Sequence, residues 1–468
     1  MTGAFAALMA LEATGLVFFL VFMKKTAYEC TMAELLSVSF FAGLGIVVYT
    51  LFIFDLLNIR FAVTNYLFFS AACLVAGIFI IFTLPGRIIL APPRAGSLFP
   101  LSLAEKICLS GIAIQFLWIL FMVLPSPVSS HDAVANYALK SKIFYFTGLI
   151  PENFFNMPEA SVAHPDYPLM LPLAMTWIYG FTGFDDVVVN IVMPVIYAAF
   201  IVLFYSLSRR QFGRTFSAIC AFMLATVPQF ADYAMIIHAD IILAVFITAA
   251  FIYMTLYMKS LDKNYLVLSS VFFGFSLWAK NEAIVFTAAF VILLAFFLCR
   301  CAGRPPDKAR SMLTVLMVLF IIAAPWFCVK LLSGPANSDI RLSEINFAGI
   351  AENIRDIPVL LDLFQQEVFG PKKWNIFWIL FFGSVIWKRK KLFRGEILYM
   401  TLFMMISSAC YFSAYILMTG YDLYFFANTT ISRFMLHFCG AAMFLAAYLV
   451  HDDISRVLER CGGKNKGM

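Results

Sequence analysis

Apolar residues in this chain are gathered into long runs separated by short polar connections. Runs near 3–23, 33–54, 62–84, 103–124, 187–208, 214–230, 240–258, 265–279, 281–299, 312–332, 374–387, 397–418 and 432–450 approach the roughly 20 residues a helix needs to cross about 30 Å of hydrocarbon. They predict an all-α polytopic integral membrane protein with about 13 transmembrane helices. Only two connections are long, 125–186 and 333–373. Within the first, residues 169–181 are apolar but number only about a dozen and contain Pro172, so they predict a helix lying at the outer surface instead of a span. Within the second, Ile354, Ile357, Leu360, Leu361, Phe364 and Val368 recur at i, i+3, i+4 and predict an amphipathic helix laid against the membrane face.

Composition removes the soluble alternative. Of the 468 residues, 63% are hydrophobic and 13% charged, about half the roughly 25% charge content of a soluble domain. The net charge of +6 matters through its placement. Lys24 and Lys25, then Arg87, Arg94 and Lys106, then Arg209, Arg210 and Arg214, Lys259 and Lys263, Arg300 through Arg310, and Lys388 through Lys391 all fall on one side when the runs are threaded in alternation. The positive-inside rule makes that side cytoplasmic. The N-terminus is then outside, the C-terminus inside, and both long loops face outward.

The first run has neither a preceding positive charge nor a small-residue cleavage site, so it reads as a retained span. No Walker motif and no GxGxxG on a strand–helix turn occurs, which argues against nucleotide-driven pumping, and no basic block suits nucleic acid. The ten cysteines suggest no disulfide framework. Six lie in apolar runs and four in or beside basic connections, and the long loops contain none.

Five polar groups sit where an apolar chain should not carry them, and the threading puts all five at one face. Ser129-Ser130-His131-Asp132 follows the run ending near Leu124, and either Asp132 or a neighbouring serine could cap the next helix; capping leaves the His–Asp pair unused, and a carboxylate there could act as a general base. His164-Pro165-Asp166-Tyr167-Pro168 is a stiffened turn with three hydrogen-bonding side chains. Asp232 through Asp240 occupies a hairpin mouth, where Asp240 could serve the helix dipole alone. Lys280-Asn281-Glu282 is another hairpin apex, and Ser432-Arg433 opens the last run. Each is explicable alone as a cap, a turn, a surface bridge or a snorkelling arginine. Their convergence predicts an outward-facing polar cavity, because ionisable groups near hydrocarbon depth are costly unless they line one or meet a partner.

These motifs resemble the membrane glycosyltransferases of the GT-C superfamily, particularly the bacterial relatives of protein O-mannosyltransferases and the lipid A aminoarabinose transferase. The resemblance covers about 103 to 450. It rests on the acid opening the first loop (His131-Asp132-Ala133-Val134-Ala135-Asn136-Tyr137), the Tyr167-Pro168 loop end, Ala239-Asp240, Lys280–Glu282 and Arg433. The usual double acid of the first motif is here His-Asp, and about three spans precede those of the family. The resemblance divides the chain into N-terminal additional helices (1–102), a GT-C-like catalytic core (103–450) and a short basic cytoplasmic tail (451–468). It implies a hexosyl or pentosyl transferase of the bacterial inner membrane that takes sugar from a polyprenyl-phosphate donor and places it, with inversion, on a hydroxyl of a glycan, lipid or protein. Asp132 would be the base. Arg433 and Lys280 would meet the donor phosphate, and Asp240, His164, Tyr167, Glu282 and His131 would position substrate. No cofactor is assigned, and the sparse His/Cys spacing indicates no metal. The rival is a lipid-linked-sugar flippase, whose charges belong nearer the midplane.

Overall fold

The computed structural model describes residues 1–91, 100–158, 161–300, 308–333, 345–418 and 422–462. Arg94, Arg304, residues 334–344 of the 333–373 loop and the end of the basic tail lie outside the described residues. The described chain is helical throughout apart from its turns and one pair of two-residue strands, Glu29–Cys30 and Ile89–Leu90, aligned parallel. Before the first long loop come α1 (Thr2–Thr26), α2 (Met32–Leu56), α3 (Val63–Thr83) and α4 (Leu103–Val123). The loop holds α5 (Leu139–Thr147) and α6 (Met170–Thr182). A run of hairpins follows: α7 (Val192–Ser208), α8 (Arg214–Ala225), α9 (Pro228–Met235), α10 (Ala239–Ser260), α11 (Lys263–Ser276), α12 (Ala283–Arg300) and α13 (Lys308–Ser333). The second loop carries α14 (Phe347–Arg355), α15 (Ile357–Phe369) and α16 (Pro371–Trp374), and the chain closes with α17 (Phe377–Trp387), α18 (Gly395–Leu417) and α19 (Leu423–Gly462).

Every predicted apolar run is helical, but among the described residues ten helices, not thirteen, are long and apolar enough to cross a membrane. The other three runs form α8, α11 and α17, of 12, 14 and 11 residues. At 1.5 Å per residue these reach only about 17–21 Å. They still carry the chain from one end of the bundle to the other: α11 runs from Asn264, bonded to Thr26 O, to the turn bearing Lys280. In the run 214–230, Pro228 opens α9 as a separate helix after a break at Thr226–Val227, so the apolar stretch bends instead of continuing.

α6 also departs from expectation. Instead of lying at the outer surface it is buried along its length from Met170 to Tyr179, between α1, α2 and α5. Trp177 donates to Ala7 O at 2.9 Å and stacks on Tyr66. A helix apolar on every side has no reason to prefer an interface. The predicted amphipathic helix is two helices, α14 and α15, parted at Asp356 ahead of Pro358. Leu360, Leu363 and Val368 face inward, whereas Ile354 and Leu361 are exposed.

α10 is the axis of the fold. Each residue from Ala239 to Met258 is buried, against α11, α19 and α7. The helices before residue 103 share this interior: α1 and α2 cross at Gly15 and Gly43, where an added Cβ would collide with the facing backbone. Small residues at a crossing permit this approach where no hydrophobic effect drives helices together. At the basic end the bundle is fastened by paired charges. Arg210 meets Glu34 at 2.8 Å, Arg214 meets Glu105 at 2.7 Å and Lys388 meets Asp453 at 2.6 Å.

Candidate active site

At the opposite end, the hairpin mouths bring their polar residues together. Asp132 opens a π-helical turn, Ala133–Ala138, a form rare outside functional sites. The backbone there is capped by the serine: Ala133 N–H donates to Ser130 Oγ at 3.3 Å, and Asp132 makes no cap contact. Its carboxylate turns instead into the bundle. Oδ2 accepts from Arg433 Nη2 at 2.6 Å and from His238 Nε2 at 3.0 Å. The hydrogen bond from His238 and the charge of Arg433, against partial burial, hold Asp132 well below the usual carboxylate range.

Behind it lies Asp240, on the first turn of α10 and fully buried. Oδ2 meets His238 Nδ1, and Oδ1 accepts from Lys280 Nζ at 2.9 Å and His437 Nε2 at 2.8 Å. The other nitrogen of His437 lies 2.9 Å from the Tyr411 hydroxyl. Lys280 also meets Glu282 at 2.9 Å. Burial opposes the Lys280 charge, but Asp240 and Glu282 outweigh it and raise its pKa.

Asp132, Lys280, Glu282 and Arg433 floor a cup of about 160 Å³, walled by Tyr137, His164, Tyr167 and Phe434. His164 adopts φ +47°, a conformation uncommon away from glycine, and its ring stacks on Tyr167 with centroids 4.5 Å apart. Lys140, wholly buried under this wall, donates to His164 O at 2.5 Å. Burial, opposed by Asp166, pushes its ammonium down to about 7. Lys330 of α13 pairs with Asp166 at 3.8 Å and donates to Asn281 at 3.0 Å, tying the wall to the Lys280 turn.

The expected residues Asp132, Lys280, Glu282, Arg433, His164 and Tyr167 thus share one cup. His131 lines the same cup at its rim, with its ring 92% exposed, 3.6 Å from Asp132. One expectation needs correction. Asp240 does not line the cup: with a side-chain exposure of 0% against 35% for Asp132, it organises the cations from behind. Asp232 is exposed and outside the cup lining, and Ser432 accepts from Lys373. His238, His437, Lys140 and Lys330 were not singled out in the sequence. His437 falls four residues after Arg433, one helical turn along the same face, and a histidine inside an apolar run is itself a sign of a polar interior. Among the described residues no group of three or more His, Cys, Asp or Glu side chains is arranged to hold a metal ion.

Beside the cup runs an apolar groove of about 380 Å³ between α15, α17, α18 and α19, lined by Phe364, Trp378, Met404, Tyr411 and Phe434 among others. Phe434 belongs to both cavities. Arg433 faces the cup and its neighbour Phe434 closes the groove.

Residues 166–328 match the family described as dolichyl-phosphate-mannose-protein mannosyltransferase. In structure the chain is similar to ArnT from Cupriavidus metallidurans in the apo state, with a TM-score of 0.51 and 13% identity over 78% of this chain and 62% of that one. It is also similar to ArnT of the same organism bound to undecaprenyl phosphate, with a TM-score of 0.50 and 12% identity over 77% and 64% of the two chains. The chain thus spans a little under two thirds of the length of these proteins. No curated protein matches it in sequence. At these identities the likeness establishes the fold, that of the solved ArnT structures.

Proposed function

We propose that this chain, with its GT-C fold, is an integral membrane glycosyltransferase that moves a hexose or pentose from a polyprenyl-phosphate donor to an acceptor hydroxyl. The observation that carries this reading is the joining of two cavities: a charged cup and a long apolar groove share Phe434. A lipid-phosphate sugar is built the same way, with its phosphate at the joint. The solved ArnT complex, which holds undecaprenyl phosphate, supports the same class of donor.

In this reading the isoprenoid lies in the groove and the phosphate meets Arg433 and Lys280. The acceptor oxygen attacks the anomeric carbon as its proton passes to Asp132. The bond from that carbon to the phosphate oxygen breaks, and the leaving phosphate keeps the electron pair, its charge received by the two cations. A single in-line displacement inverts the anomeric centre. Asn136 supports recognition of the sugar: it lines the cup, and its buried amide oxygen meets no hydrogen-bond partner among the described residues, so it is available to a sugar hydroxyl. The clustering of Lys and Arg at the other end supports a cup on the extracytoplasmic face of a bacterial inner membrane, with the N-terminus outside and the C-terminus in the cytoplasm.

The test is to incubate purified, detergent-solubilised protein with radiolabelled undecaprenyl-phosphate mannose, glucose, galactose and arabinose in turn, with membrane extract as acceptor. Release of undecaprenyl phosphate and labelled product without any ion gradient is expected from at least one donor. Gradient-driven movement of the intact lipid-linked sugars in reconstituted vesicles, with no bond broken, would establish a flippase instead.

A further inference from the structure

The chemistry above leaves His238 without a task, although it is the best-connected group of the cluster. Its ring is 3% exposed and does not line the cup. Nε2 faces Asp132 and Nδ1 faces Asp240. A carboxylate oxygen only accepts, so Nε2 carries the hydrogen shared with Asp132, and the Asp240 carboxylate against Nδ1 favours the imidazolium. Burial opposes that charge, and the Asp240 and Asp132 carboxylates outweigh both burial and Arg433, raising its pKa. Tyr137 and Tyr233 pack edge-on against the ring at 5.6 and 5.1 Å and fix its plane. With His238 charged, Asp132, Asp240 and Glu282 are balanced by Arg433, Lys280 and His238, and the cluster is neutral.

Asp132 Oδ2 is therefore gripped by two cations in different situations. Arg433 lines the cup with its side chain 30% exposed, and a guanidinium has five N–H donors, so an arriving phosphate can take it up. His238 is out of reach of anything in the cup. When phosphate draws on Arg433, Asp132 loses part of the charge that keeps it acidic and becomes a better base, yet it retains one fixed hydrogen bond. We propose that His238 is the positioning residue of this site, holding the base Asp132 in aim from the buried Asp240 while the donor phosphate engages Arg433. The inference rests on the reading of Asp132 as base and Arg433 as phosphate partner.

The charges balance through the step. The donor is a phosphodiester of charge −1; the leaving lipid phosphate carries −2, and Asp132, having accepted the proton, has lost its own negative charge. His238 keeps its proton throughout.

Two substitutions separate the nitrogens of His238. Glutamine places its amide nitrogen near the position of Nε2 and keeps the hydrogen bond to Asp132; asparagine reaches only the position of Nδ1 and gives it up. On monodisperse protein, with the undecaprenyl-phosphate sugar that the wild type cleaves, His238→Asn should lower kcat by about 10²-fold, as misplacement of a reacting group does, and leave KM for the donor nearly unchanged. His238→Gln should recover most of that loss. It should also abolish an alkaline decline: in the wild type kcat falls as pH rises through the raised imidazolium pKa, because the charged form is the one that holds Asp132. A wild-type kcat in His238→Asn beside an inactive Asp132→Asn would overturn the inference alone. Turnover retained by Asp132→Asn would overturn the base reading and the inference with it. Equal losses in the Asn and Gln variants, matched by equal losses of thermal stability and an unchanged pH profile, would reduce His238 to a structural role and overturn the inference as well.

Discussion

The two ends of the bundle use the same kinds of side chain for different ends. At the basic end, among the described residues, none of the paired cations serves two carboxylates: Glu34 holds Arg210, Glu105 holds Arg214, Asp453 holds Lys388 and Arg456, and Asp452 holds Lys391. The remaining lone pairs are filled by groups that do not titrate near neutrality, as when Tyr28 and Tyr253 donate to Glu34 at 2.7 and 3.2 Å. At the cup end the carboxylates share cations. Asp132 holds Arg433 and His238, and Asp240 holds His238 and Lys280. A private pair closes on itself and fastens helices. A shared chain can exchange one partner for a ligand without stranding a buried charge, which is a condition for chemistry at hydrocarbon depth.

The comparison breaks most sharply at Asp132. Asp132→Asn should lower turnover by about 10²–10⁴-fold, the usual contribution of a positioned base, while the melting temperature of purified protein stays close to wild type because Ser130, and not Asp132, caps the backbone. At the basic end the effect should be of the opposite kind. Glu34→Gln leaves Arg210 without its carboxylate and should cost about 3–5 kcal/mol of stability, read as a lowered unfolding midpoint, with turnover per folded molecule unchanged. The smallest effect should come from Arg433→Lys, which keeps the charge but loses the planar fork. kcat/KM for the lipid donor should fall on the order of tenfold, the worth of one charge-assisted hydrogen bond. If Arg433→Lys equalled Asp132→Asn, the arginine would be doing more than receiving phosphate.

Much of this was legible in the sequence, for a physical reason. Asp132, Lys280, Glu282 and Arg433 stood out because charged residues at span mouths are rare and the threading rule assigns them a side. The same rule brought them to one face although α8, α11 and α17 are too short to be unambiguous spans. Asp240 was recognised but misplaced, since sequence does not tell a carboxylate that meets substrate from one that holds cations behind it. His238 and His437 went unremarked because a histidine carries no fixed charge for the threading to place, and only the carboxylates they meet in the fold mark them as part of the site. The burial of α6 was hidden because a short apolar helix reads alike against lipid and against protein. The groove was hidden for the same reason: Phe364, Trp378 and Met404 come from three separate helices and look like ordinary bundle residues until those helices meet.

On the proposed function, the adjacency of Arg433 and Phe434 on α19 has a consequence for what the protein would measure in its donor. Successive residues of a helix point about 100° apart, so one peptide step carries the chain from the cup to the groove. Such a site gauges a carrier by the junction between its phosphate and its first isoprene units, and the far end of the tail passes along a groove of ordinary aromatic and aliphatic side chains. Carriers of different isoprenoid number present the same junction. On that reading the helix works as a fixed mark on a ruler.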